Sequence, residues 1–263
     1  MSAILEFFSQ AYHNFQEHKQ TEEYQSLHTT AHTIVFYTVV LTVLLELWSL
    51  PTVRLLLQKQ PNGRELYAKA LFWNIFNQYG LGIPLYPSVA ILMTRNDDLE
   101  WNHLSAVASN LFEVVYIWIV HAIGYYYVHK AFHLSPKWYK YHKFHHRFNA
   151  YVPPTAANAV EAGEYVLAYL LPFVVALAIW PLSQMIHRDN LTLATSVISV
   201  LNLLVHTPKL EGKYMSSTMN WTRWFVSTED HLNHHRKLKC HYASPTFNVD
   251  NMIDSLSGPW KNK

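Results

Sequence analysis

The chain is poor in charge, glycine and cysteine, and each shortage removes a class of protein. Charged residues make up 14% of its 263 positions, against roughly a quarter in ordinary soluble domains. Seven glycines exclude a collagen-like repeat, and the lone Cys240 excludes a disulfide framework. Cys-based zinc patterns and a Cys-x-x-Cys-His haem site are both lacking. No Gly-x-Gly-x-x-Gly and no Walker loop occurs, so nucleotide binding has no support. His-Glu-x-x-His, the zinc-protease helix, is also missing. A net charge of +2 gives no reason to expect a nucleic-acid partner. The acidic, amphipathic N-terminus does not read as a secretory signal.

Apolar and aromatic residues are plentiful, at 50% and 15%. Five apolar stretches stand out: Ile34 to Leu50, Leu71 to Met93, Leu104 to Val128, Tyr165 to Ile186 and Leu191 to Val205. A helical span needs ~20 such residues. The second stretch, with Pro84 and Pro87, predicts a kinked helix, and the fifth is short. The expected architecture is all-α. It is a polytopic membrane protein with about four to five transmembrane helices and a cytosol-facing His-rich helical cap holding a di-metal site.

Loop charge assigns the sides. Met1 to Thr33 carries −3, Pro51 to Ala70 +3, Thr94 to His103 −2, His129 to Glu164 +3, and Thr207 to Lys263 +3. The sign alternates at each of the first three spans. The last two spans form a hairpin with almost no loop between them. The positive-inside rule then puts both His-bearing loops on the cytoplasmic side. Tyr125 to Tyr127, Trp138, Tyr139, Tyr141, Trp221, Trp224 and Phe225 are expected at the headgroup level. Glu46 and Glu113 lie inside apolar stretches, where an ionisable group needs a partner; both are far in sequence from the histidines.

Seventeen histidines are present. Two copies of His-x-x-His-His occur: His142, His145, His146 and His231, His234, His235. At this histidine content about 0.07 copies are expected by chance, so two copies are a signal. His129 and His133 form a further i, i+4 pair on one helical face. Imidazole is a ligand for iron, zinc, copper and nickel. Eight clustered imidazoles exceed the four that one structural zinc takes, which points to two ions. His13, His18, His28, His32, His103 and His187 read as ordinary surface or core residues. His121, inside an apolar stretch, is intermediate. Glu100-x-x-His103 has the di-iron bundle spacing but falls on the opposite side from the clusters and reads as chance.

In order and spacing these motifs resemble the fatty acid hydroxylase and sterol desaturase superfamily of membrane di-iron oxidoreductases. The resembling residues are His129-Lys-Ala-Phe-His133, His142-Lys-Phe-His145-His146, His206 before Thr207-Pro208, and His231-Leu-Asn-His234-His235. They run from about Leu104 to Val249. The resemblance implies metal ligands at His129, His133, His142, His145, His146, His206, His231, His234 and His235. It also implies two iron ions as cofactor (zinc can replace them in purified protein), dioxygen, and a lipid substrate entering from the bilayer. With no fused haem domain, a separate electron donor is implied: a cytochrome b-type protein and its reductase. The location implied is the endoplasmic reticulum if the source is eukaryotic. A division at 103/104 separates an N-terminal region with two spans from the catalytic domain, 104–263.

Two departures from the family pattern stand out. Asn158 sits where family members commonly carry a histidine, and is an additional ligand candidate or a residue that orients one. His241-Tyr242-Ala243 replaces a common Asn-Tyr-Gly, making His241 an extra ligand or a mere substitution. Glu161 and Glu164 could hydrogen-bond ligand histidines. The expected activity is oxygen-dependent hydroxylation or desaturation of a sterol or sterol precursor, with fatty-acyl or sphingolipid hydroxylation as the close competitor. A non-catalytic membrane metal-binding protein and a zinc hydrolase are the readings from other classes.

Overall fold

The computed structural model describes residues 21–97, 103–215 and 222–257. His13, His18, Asp98, Glu100 and Trp221, with the acidic N-terminus and the Glu100-x-x-His103 pair, lie wholly or partly outside the described residues.

Among the described residues the structure is helical, with no named strand. Helix α1, Glu22–Trp48, starts where the Thr21 side chain accepts from the Tyr24 N–H, with Glu22 and Glu23 facing the positive end of its dipole. Helices α2, Leu50–Lys59, and α3, Gly63–Ile75, follow. Helix α3 runs through a π-helical turn, Phe76–Gly82, into α4, Ile83–Met93. The π-helical turn ends just before Pro84, which has no N–H to bond.

Helix α5, Leu104–Leu134, is the longest. Helices α1 and α5 are the two described helices long and apolar enough to cross a membrane. Their outward faces expose Phe36, Leu44, Leu47 and Trp48 on α1, and Leu111, Phe112, Ile119 and Ile123 on α5. Helix α6 is Pro136–His142. Helix α7, Ala162–Ala178, is shorter than the apolar stretch that predicts it, because the chain leaves the helix before Pro181. It lies so close to α5 that a Cβ on Gly124 would stand 3.1 Å from Pro172. Helix α8 is Arg188–Val205, α9 is Thr228–Lys237 and α10 is Val249–Ser257.

The two acidic residues in apolar stretches are paired. Glu113 accepts from the His187 backbone N–H at 2.8 Å and from Asn190 Nδ2 at 2.7 Å, with Arg95 at 3.2 Å. Glu46 Oε1 accepts from the Thr155 N–H at 2.7 Å. Both therefore tie helices to loops. Of the expected interfacial tyrosines, Tyr125 and Tyr126 are core residues and only Tyr127 is exposed. Helices α2, α3 and α9 and the loop after α6 close a core of Leu56, Leu66, Phe144, Phe148 and Leu232 beside the histidine motifs.

Candidate metal centre

Four segments bring the histidines together. His129 and His133 occupy the last turns of α5, and His142 ends α6. His145 and His146 form the short 3-10 turn that follows. His206 caps the C-terminus of α8. His231, His234 and His235 lie on α9, which is started by a reciprocal Ser227–Asp230 capping box.

They sort into two groups, each of which could hold a metal ion. One contains His129, His133, His142, His146 and His234; the other His145, His206, His231 and His235. Within each group the candidate ligand atoms lie within 4.8 Å of one another. Each His-x-x-His-His copy is thus split between the groups. Neighbouring helix positions are rotated by about 100°, so adjacent histidines diverge while i, i+4 pairs converge. All nine histidines except His133 are buried.

The hydrogen bonds behind the rings fix which nitrogen carries the proton. His129 Nδ1–H donates to the Tyr242 carbonyl at 2.9 Å. His142 Nδ1–H donates to Glu164 Oε1 at 2.6 Å, and His234 Nδ1–H to the Cys240 carbonyl at 2.7 Å. In the second group His206 Nδ1–H donates to the Asn202 carbonyl at 2.7 Å. Burial, reinforced by neighbouring imidazoles, holds His142, His231 and His235 far below the ordinary imidazole range. Burial also brings His206 down to about 4 and His234 to about 3. The rings are therefore neutral, and the Nε2 atoms of His129, His142, His206 and His234 are bare lone pairs.

Those lone pairs face each other. His129 and His142 Nε2 are 2.9 Å apart, and His146 Nε2 lies 2.7 Å from His142, 3.1 Å from His133 and 3.1 Å from His234. One nitrogen with at most one proton cannot satisfy three such neighbours. A cation at their convergence does. His231 and His206 Nε2 approach to 2.8 Å in the second group. There, both nitrogens of fully buried His235 lack a hydrogen-bond partner among the described residues, a costly state that metal ligation relieves. The donor set, all imidazole with carbonyl and carboxylate support behind it, fits metal ions.

Asn158 Oδ1 accepts from Asn202 Nδ2 at 3.4 Å, and the Asn202 carbonyl in turn accepts from His206. His241 is outside both groups, 3.7 Å from Asp230. Of the two acidic candidates Glu164 reaches a histidine. Glu164 stands behind His142 rather than among the converging nitrogens, so it is not placed as the general base of a zinc hydrolase. The carbonyls of Tyr242, Cys240 and Asn202 carry no side-chain signal and were invisible in the sequence. His187, an ordinary histidine by sequence, caps α8.

A family model described as Fatty acid hydroxylase matches residues 114–255, just over half the chain. The chain belongs to the fatty acid hydroxylase family. Both histidine groups fall inside the matched region. No curated protein and no solved structure matches the chain.

Proposed function

We propose that this fatty acid hydroxylase family member is a membrane-bound di-iron oxygenase that hydroxylates or desaturates a sterol or sterol precursor. The nine histidines are its metal ligands, five for one iron and four for the other. The observation that carries the reading is the pair of buried imidazole groups with converging bare nitrogens. Bound there, two iron ions would supply the dioxygen activation that an unactivated C–H bond requires. The protein's part is to hold the ligands neutral, orient them through Glu164, Tyr242, Cys240 and Asn202, and keep water away by burial.

The lipid enters from the bilayer, and four to five spans place the histidines at the cytosolic face. Exposed apolar residues on α1 and α5, together with the alternating loop charge, support that orientation. Electrons come from a separate cytochrome b-type donor and reductase, with the endoplasmic reticulum as the membrane in a eukaryote. The test is iron-loaded protein in nanodiscs with a sterol-precursor mixture, reductant and a cytochrome b-type donor. An oxidised product that forms in air and not under nitrogen supports the reading; oxidation of fatty-acyl chains alone would move the substrate to the competing class.

A further inference from the structure

The peptide unit between Tyr242 and Ala243 carries two hydrogen bonds. Its carbonyl accepts from His129 Nδ1–H at 2.9 Å, and its N–H donates to Asp250 Oδ2 at 2.8 Å. Asp250 lies in the first turn of α10 and is half-buried. Carboxylate, amide and imidazole therefore form one hydrogen-bonded chain. At its far end the His129 Nε2 lone pair faces His142 Nε2 at 2.9 Å.

The surroundings hold this peptide in place. Tyr242, Ala243 and Val249 share a buried cluster with Ala122 and Tyr126 of α5. The Tyr242 ring lies against His133 and His234, with centroids 5.3 Å and 5.7 Å away. Lys130 donates to the Tyr126 hydroxyl at 2.9 Å and stands 6.0 Å over the Tyr242 ring. The Cys240 carbonyl, from the same loop, accepts from His234 Nδ1–H at 2.7 Å. Helix α10 has anchors besides Asp250: the Asn248 N–H donates to the Trp224 carbonyl at 2.9 Å, and Asn251 Nδ2 to the Arg223 carbonyl at 3.0 Å.

A carboxylate that accepts from an amide N–H polarises the amide, and the amide carbonyl becomes a stronger acceptor for the next donor. A carboxylate behind a metal-ligating imidazole fixes its tautomer and raises its basicity. Glu164 is placed to do this for His142 directly. We infer that Asp250 is the carboxylate partner of His129, acting through the Tyr242–Ala243 peptide, and is a positioning residue for the five-histidine group alone. In the four-histidine group His206 donates to the Asn202 carbonyl of its own helix instead. The inference rests on the reading of His129 as a metal ligand and adds to it a residue whose own side chain touches no histidine of that group.

The test is anaerobic titration of the full-length protein in nanodiscs with ferrous iron, enriched in the Mössbauer isotope, without substrate. Affinity and Mössbauer spectrum are the readouts. Asp250→Ala should weaken one of the two sites by about 10–100-fold, and its residual spectrum should match that of His234→Ala rather than His235→Ala. Asp250→Asn keeps an acceptor for the amide without the charge, so its affinity should fall between that of Asp250→Ala and the unaltered protein. Asn251→Ala releases a different anchor of α10 and should leave both sites unchanged, which separates positioning from a loosened helix. Unchanged affinity in Asp250→Ala, or equal weakening of both sites in folded Asp250→Ala and Asp250→Asn, would overturn the inference. No iron in the unaltered protein would sink the di-iron reading together with this one. Two irons bound alike by the unaltered protein and Asp250→Ala would sink only this one, and selective loss in a protein that never oxidises a lipid would sink only the oxygenase reading.

Discussion

Glu164 and His142 form a buried pair, Oε1 accepting from Nδ1–H at 2.6 Å, with the other face of the ring turned to His129 and His146. The carboxylate fixes the tautomer, and the tautomer fixes the lone pair that faces the centre. Glu164→Gln should keep the helix yet weaken metal binding by about 10–100-fold. Glu164→Ala, which strands a buried N–H, should in addition cost about 1–3 kcal/mol of stability. Metal titration and thermal unfolding of the two variants separate these effects.

The division of each His-x-x-His-His copy predicts that neighbours deplete different ions. His234→Ala removes a ligand of the five-histidine group, and His235→Ala one of the four-histidine group. Each should lower metal content from about two ions towards about one, and each should abolish turnover. Mössbauer spectra of the iron-loaded variants should retain different iron environments. Identical residual spectra would contradict the division.

Acid should empty the site. Folded histidines held at about 4 (His206) and about 3 (His234) resist protons, whereas the unfolded chain takes them up below ~6.5. Native stability therefore falls as pH drops below ~6.5 and is flat above it. Protons also displace metal from imidazole. Metal retention after dialysis should be equal at pH 7 and pH 8 and reduced at pH 5.

The loop carrying two of the supporting carbonyls is strained. Leu238 at φ 64° and His241 at φ 56° both sit in the left-handed region, flanking Cys240. For a branched residue such as leucine this is costly. Leu238→Asn, better suited to a helix C-cap of this kind, should raise stability by about 0.5–1 kcal/mol with metal content unchanged. Differential scanning measurements on the metal-free protein check this.

Much of this was legible in the sequence because it depends on side-chain type and period. The long apolar runs foretold α1 and α5, and the His-x-x-His-His spacing foretold which residues meet. What was not legible depends on backbone geometry. The carbonyls of Tyr242, Cys240 and Asn202 orient histidines, yet any residue supplies a carbonyl. The π-helical turn at Phe76–Gly82 and the early end of α7 likewise have no distinct composition. The partition of His145 from His146 follows from helical rotation, but only once the partner histidines are in place. Glu164 was visible as a candidate, and only the fold separates it from Glu161.

Metal content tests the central claim most directly. The full chain, purified without a histidine tag, is loaded anaerobically with ferrous iron, desalted and assayed. About two irons per chain are expected, and about one in His234→Ala. One iron or none in the unaltered protein, after loading under conditions where the helices remain folded, would contradict that claim.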